Sequence, residues 1–169
     1  MFSTRTLLRL PRRTVLVVAT AAIVALVTPL ALYLGSPLFV THTVSEASPA
    51  APAQSRLAVG QFGVVDAIHK GEGSASIVRL DDGQRVLRLA DDFRVTNGPD
   101  LYVYLSGAVA PRSSDDLHAT GAFDVAQLKG NVGGQNYALP DDLDLSKLRS
   151  VVIYCRRFTT VFSTAELVS

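Results

Sequence analysis

The chain is poor in the residues from which redox and metal centres are usually built. Its 169 residues hold one cysteine, one methionine, three histidines and no tryptophan. A single cysteine excludes an intrachain disulfide and any zinc or iron–sulfur site made from several thiolates. The histidines (His42, His69 and His118) lie far apart in the sequence and point to no metal site. Familiar catalytic signatures are missing: no P-loop, no G-x-G-x-x-G after a strand, no H-E-x-x-H and no G-x-S-x-G. An excess of charge of one sign is missing too, since 16 basic against 15 acidic residues leave a net +1, and nothing points to nucleic acid.

What is present first is a long uncharged run. From Thr14 to Ser45 there are 32 residues without Asp, Glu, Lys or Arg. Within it Val15 to Leu34 is apolar or small, rich in Val, Ala and Leu. At ~1.5 Å per residue that run spans roughly 30 Å, the thickness of a bilayer's hydrocarbon core. Arg5, Arg9, Arg12 and Arg13 precede it with no acid among them. The positive-inside rule then predicts residues 1–13 in the cytoplasm, 14–34 as a transmembrane signal anchor and the remainder outside. Pro29 would kink such a helix without ejecting it. A cleaved, secreted form is the alternative: Ala51-Pro52-Ala53 has small residues in an A-x-A pattern, and Arg12-Arg13 resembles a twin-arginine signal. The apolar run is longer than the ~7–15 residues of a typical export signal, which favours the anchor. Residues 35–55, rich in Ser, Pro and Ala, read as a flexible spacer because they bury too little apolar area to offset their ordering entropy.

Residues 56–169 change texture to short apolar-alternating runs punctuated by Gly, Asn, Pro and Asp, the pattern of consecutive strands. Phe62 to His69 is predicted as the first strand. Ser74 to Leu80 and Arg85 to Leu89 form a hairpin across Asp81-Asp82-Gly83. Leu101 to Leu105 follows the Asn97-Gly98-Pro99-Asp100 turn, with Tyr102 and Tyr104 on one face. Ser106 to Thr120 reads as the longest loop. Shorter pieces at 123–128 and 136–139 precede one helical turn within 141–148, and strands at 151–158 and 160–167 close the domain. This spacing predicts an all-β fold, an antiparallel β-sandwich or partly closed barrel behind one N-terminal transmembrane helix. Phe62, Val64, Ile77, Leu87, Leu101, Val103, Val151 and Ile153 are expected in its core.

Cys155 lies in Val151-Val152-Ile153-Tyr154-Cys155-Arg156-Arg157-Phe158. Period two places Val151, Ile153 and Cys155 on one face and Val152, Tyr154 and Arg156 on the other. A cysteine in such a run is either a small buried hydrophobe or, with Arg156 and Arg157 beside it, a thiol biased toward the reactive thiolate. On a regular strand Arg157 would share its side. His69 closes the first predicted strand and is either structural or functional; the residues alone leave both questions open.

The order of Gly60-x-Phe62, His69 with Gly71 and Gly73, Asn97-Gly98-Pro99-Asp100, Tyr137-x-Leu139-Pro140, Val152-x-Tyr154-Cys155-Arg156-Arg157-Phe158 and Val161-Phe162 resembles the DM-thirteen domain over residues 57 to 168. That domain occurs alone in bacterial membrane-anchored proteins and beside haem-binding DOMON domains in Skeletor-like animal proteins. The resemblance implies a redox or electron-transfer module using its single cysteine, here Cys155, and it sets His69 on the family's histidine. Asp100 and Arg157 fall within its two most specific blocks and are expected to support the site. Two positions depart from the pattern: Tyr154, where animal members often have tryptophan, and Ser163, where they have glycine. The expected partners are the membrane, through residues 14–34, and electron carriers in or outside it; no cofactor is named. The alternative is a non-catalytic extracytoplasmic binding module with Cys155 as core filling.

Overall fold

The protein is described by a computed structural model covering residues 11–35, 40–49 and 56–168, the side chains of 30–35 excepted. It divides into two units, Met1–Phe39 and Val40–Ser169. In the first, α1 (Arg12–Gly35) runs 24 residues with Pro29 inside it. This helix is long and apolar enough to cross a membrane, a property that export signals share.

The second unit is built from ten strands among the described residues: β1 (Arg56–Gln61), β2 (Gly71–Glu72), β3 (Ser74–Arg79), β4 (Arg85–Leu89), β5 (Arg94–Val95), β6 (Leu101–Ser106), β7 (Ala122–Gln127), β8 (Gln135–Leu139), β9 (Ser150–Cys155) and β10 (Thr160–Glu166). They form two four-stranded antiparallel sheets, in the orders β1-β3-β4-β8 and β10-β9-β6-β7, with β2-β5 as a small third ladder. Ala75, Ile77, Leu87 and Leu89 of the first sheet meet Val103, Leu105, Val151 and Ile153 of the second in one core. Each such aliphatic side chain contributes about 1.5–3 kcal/mol on burial. The bridges Val59↔Val168 and Phe62↔Ala165 join the sheets along one edge. Leu143, Leu145 and Leu148 also pack against the core. The fold is thus the expected antiparallel sandwich, and the barrel does not close.

The predicted β3–β4 hairpin forms, with Ile77 opposite Leu87, and Gly83 takes φ +87 in its turn. The first strand differs from expectation. It occupies Arg56–Gln61, and Phe62 to His69 is mostly loop. Within that loop one Asp66 oxygen accepts the amides of Ile68 and His69, so a side chain satisfies backbone donors that a ladder would otherwise use. Val64, expected in the core, is accordingly 58% exposed, while Phe62 and Val65 are buried. The long loop also carries a short helix, α2 (Ser114–Ala119), started by a Ser113/Asp116 capping box. Its buried Leu117 packs with Tyr104, Val152 and Tyr154, covering the outer face of the second sheet.

Residues 40–49, within the stretch expected to be a spacer, lie along the domain. Thr43 bridges Val132 in parallel. The Val44 and Glu46 amides donate to the carbonyls of Val132 and Gly134. The Glu46 carboxylate receives Lys129 Nζ and the Asn136 amide, both at 2.7 Å, and these contacts hold its pKa below the ordinary value, the Lys129 bond foremost. The close approach depends on glycine: a Cβ on Gly130 or Gly133 would run into backbone oxygens of this strap. The strap also explains why Arg88, on the outer side of β4, is 5% exposed, since its Nη1 donates to the Glu46 carbonyl at 2.8 Å.

Candidate functional site

Cys155 is the last residue of β9, paired with Leu101 on one side and Thr160 on the other. Its face is the predicted one. Val151, Ile153 and Cys155 join the inter-sheet core, and Val152 and Tyr154 belong to the second cluster. Its exposure is nil.

Two turns flank that end of the sheet. The first, Asn97–Asp100, leads into β6, and the Asp100 carbonyl accepts the Arg156 amide at 3.0 Å. The second, Arg156–Thr159, joins β9 to β10, with Thr159 at φ +48. A β-branched residue in the left-handed region is strained. Beyond it a bulge between Val161 and Ser163 breaks the β9–β10 register. That bulge shifts the alternation, so that Phe162 and Ala165, three residues apart, both enter the core that holds Cys155 while Val161 stays in the outer cluster. A Cβ on Gly98 would lie 2.7 Å from Leu101 Cδ2 and 2.9 Å from Phe162 Cε1, so a side chain here would push both residues aside.

His69 reaches this end from outside. Its ring lies on Phe162 with centroids 4.4 Å apart. Nδ1 is 2.7 Å from Asp66 Oδ2. The His69 side-chain bond, followed by the two loop amides, pulls the Asp66 carboxyl from 3.8 down to about 2.

A family model described as "Electron transfer DM13" matches residues 61–167. The chain belongs to the electron transfer DM13 family. No curated protein and no solved structure matches it. The DM13 match encloses Cys155, His69, Asp100 and Arg157; the strap and all but the last residue of β1 lie before it.

The four expected site residues of this DM13 domain are not equally assembled. Asp100 meets the cysteine end through its backbone carbonyl, and His69 through Phe162. Arg157 does not follow strand alternation, because β9 ends at Cys155 and Arg157 sits exposed in the turn. Arg156 is committed to the opposite face. Its guanidinium lies 3.4 Å from the centroid of the Tyr102 ring, its Nε donates to Tyr104 Oη at 2.9 Å, and it pairs with Asp124. Tyr104, Tyr154 and His118 surround that face in mutual edge-to-face contacts with centroids 5.6–6.4 Å apart. Among the described residues no group of three or more His, Cys, Asp or Glu side chains could hold a metal ion.

Chemically, this end of the domain offers a buried thiol flanked by two hydrogen-bonded turns, with an oriented imidazole against Phe162, a member of the same core cluster as the thiol. A thiol reacts as thiolate and only where a partner can reach it, so reaction requires the cover to move. Asp66 and Phe162 were missed in the sequence. The Asp66-Ala67-Ile68-His69 spacing, an acid three residues before a histidine in a turn, is the signal that marks the first. Nothing local marks the bulge that follows Phe162 and resets the alternation.

Proposed function

We propose that this chain is a membrane-anchored extracytoplasmic electron-transfer module in which Cys155 is the redox group. The observation that carries the reading is the DM13 match over residues 61–167, which encloses the chain's one thiol. In this reading the Arg156–Thr159 turn opens to admit an electron carrier. Its strained Thr159 and its 53% exposed Phe158 make it the weaker half of the cover. Arg157 then brings positive charge beside the thiol, while Asp100 and His69 hold the rest of the end closed. The apolar α1 supports a membrane anchor, and the arginines before it support an N-in, C-out orientation.

A second reading has one observation in its favour, the zero exposure of Cys155. It is a non-catalytic binding module with Cys155 as core filling. Thiol titration of the full chain in detergent, with and without denaturant, separates the two. Slow but complete modification under native conditions, with a redox response that Cys155→Ser abolishes, supports electron transfer. Modification only after global unfolding establishes core filling. Orientation is tested separately by adding protease to spheroplasts: digestion of residues 56–169 supports the outside location, and protection refutes it.

A further inference from the structure

The outer face of the first sheet carries a cleft of about 310 Å³ that the thiol chemistry does not use. β1, β3 and β4 form its floor, and Ser48 of the strap forms part of its wall. Two guanidinium groups line it, Arg56 and Arg88, with Asp91 as the one acid. The lining therefore carries a formal charge of +1. Asp91 is already taken by Arg88 Nη2, and Arg56 enters none of the ion pairs among the described residues.

Arg88 is not a mobile surface arginine. Its side chain is 6% exposed. Nη1 is fixed at 2.8 Å from the Glu46 carbonyl and 3.2 Å from Asn136 Oδ1. Gly134 is glycine where a Cβ would collide with Arg88 Nη2 and Asp91 Oδ1. Nη1 is spent on its two acceptors and Nη2 shares its charge with Asp91, so Arg88 gives the cleft a fixed, polar wall, and the uncompensated charge is that of Arg56. Around it stand neutral hydrogen-bonding groups, the hydroxyls of Ser48, Ser74 and Ser76 and the amide of Gln61, with small apolar surfaces from Val59 and Ala90. Hydroxyl and amide groups beside a patch of methyl surface match the face and rim of a sugar ring.

We propose that this cleft binds an acidic saccharide, a sugar bearing a phosphate or a carboxylate, with the oxyanion on Arg56 and the ring hydroxyls on the serines and Gln61. The site is independent of Cys155. It joins the strap to the domain, since Glu46 positions Arg88 and Ser48 completes the wall.

The test is calorimetric titration of the full chain in detergent micelles with glucose 6-phosphate, glucuronate and glucose. Saturable binding of either acidic sugar, with glucose bound at least about tenfold more weakly, is expected. Binding of the phosphate or of the carboxylate alone assigns the class. Arg56→Gln, at an exposed position whose loss leaves the fold intact, should weaken the acidic sugar by about tenfold. Ser76→Ala should weaken it less. Saturation by neither acidic sugar, equal binding of glucose, or undiminished binding by Arg56→Gln would each overturn the proposal.

Discussion

The amide of Arg156 donates to the carbonyl of Asp100 at 3.0 Å, tying together the two turns that flank Cys155. This bond comes from the main chain, so the aspartate serves the cysteine end without using its carboxylate. Arg156 stacks on Tyr102 on the opposite face, and Arg157 is left in the turn as the next cation in sequence.

The state of Cys155 follows from that closure. The thiol should react with a disulfide reagent in the folded chain at a rate set by opening of the turn, far below that of a free thiol. Cys155→Ser should lower stability by about 1–3 kcal/mol, because a hydroxyl replaces a thiol in an apolar setting. Thiol-labelling kinetics and denaturant melts measure both. Labelling as fast as that of a free thiol contradicts the closed arrangement.

Gly98 tests the cover directly. Gly98→Ala puts a methyl within 3 Å of Leu101 and Phe162, and overpacking of this kind costs typically about 1–3 kcal/mol. Because the displaced side chains lie over the cysteine end, Cys155 should label faster in the variant at equal global stability, adjusted with denaturant. Unchanged labelling would show that the opening lies elsewhere.

Local periodicity made much of the fold legible. The alternation of Val151 to Cys155 fixes which face the thiol takes, and Asp81-Asp82-Gly83 fixes the β3–β4 hairpin. The exposure of Cys155 was not legible, because it is set by packing of the Gly98 turn and Phe162, contacts made across the fold. Val64 was misread because Asp66 satisfies loop amides locally and ends the alternation. The hold on the strap escaped composition for another reason. Residues 40–49 contain little apolar surface, and they are bound through backbone hydrogen bonds, Glu46 and a pair of glycines on the receiving loop.

Those glycines give the third prediction. Gly133 has φ +92, and a side chain there would meet the Val44 carbonyl of the strap. Gly83 has φ +87 with nothing within 4 Å. Gly83→Ala should therefore cost only the conformational penalty, about 1–2 kcal/mol. Gly133→Ala should cost more and should make residues 40–49 susceptible to limited proteolysis. Equal stability losses with an equally protected strap would refute the docking of residues 40–49.

The last prediction concerns acid. The Asp66 carboxyl is pulled from 3.8 down to about 2, first by the His69 side chain and then by the His69 and Ile68 amides. A carboxyl whose folded value is depressed contributes stability above its unfolded value and loses it as pH falls toward the folded one. The contribution is thus full above about pH 4 and lost by about pH 2. Asp66→Asn removes the charge and the acceptor facing His69 Nδ1 while leaving an oxygen able to accept both amides, so the charged pairing with His69 is what disappears. The melting temperature of the variant should lie below that of the parent at neutral pH, and the gap should close between pH 4 and pH 2. A gap that stays constant across that window would mean that Asp66 acts only through its uncharged contacts, and that its pairing with His69 adds nothing to the closure beside Phe162.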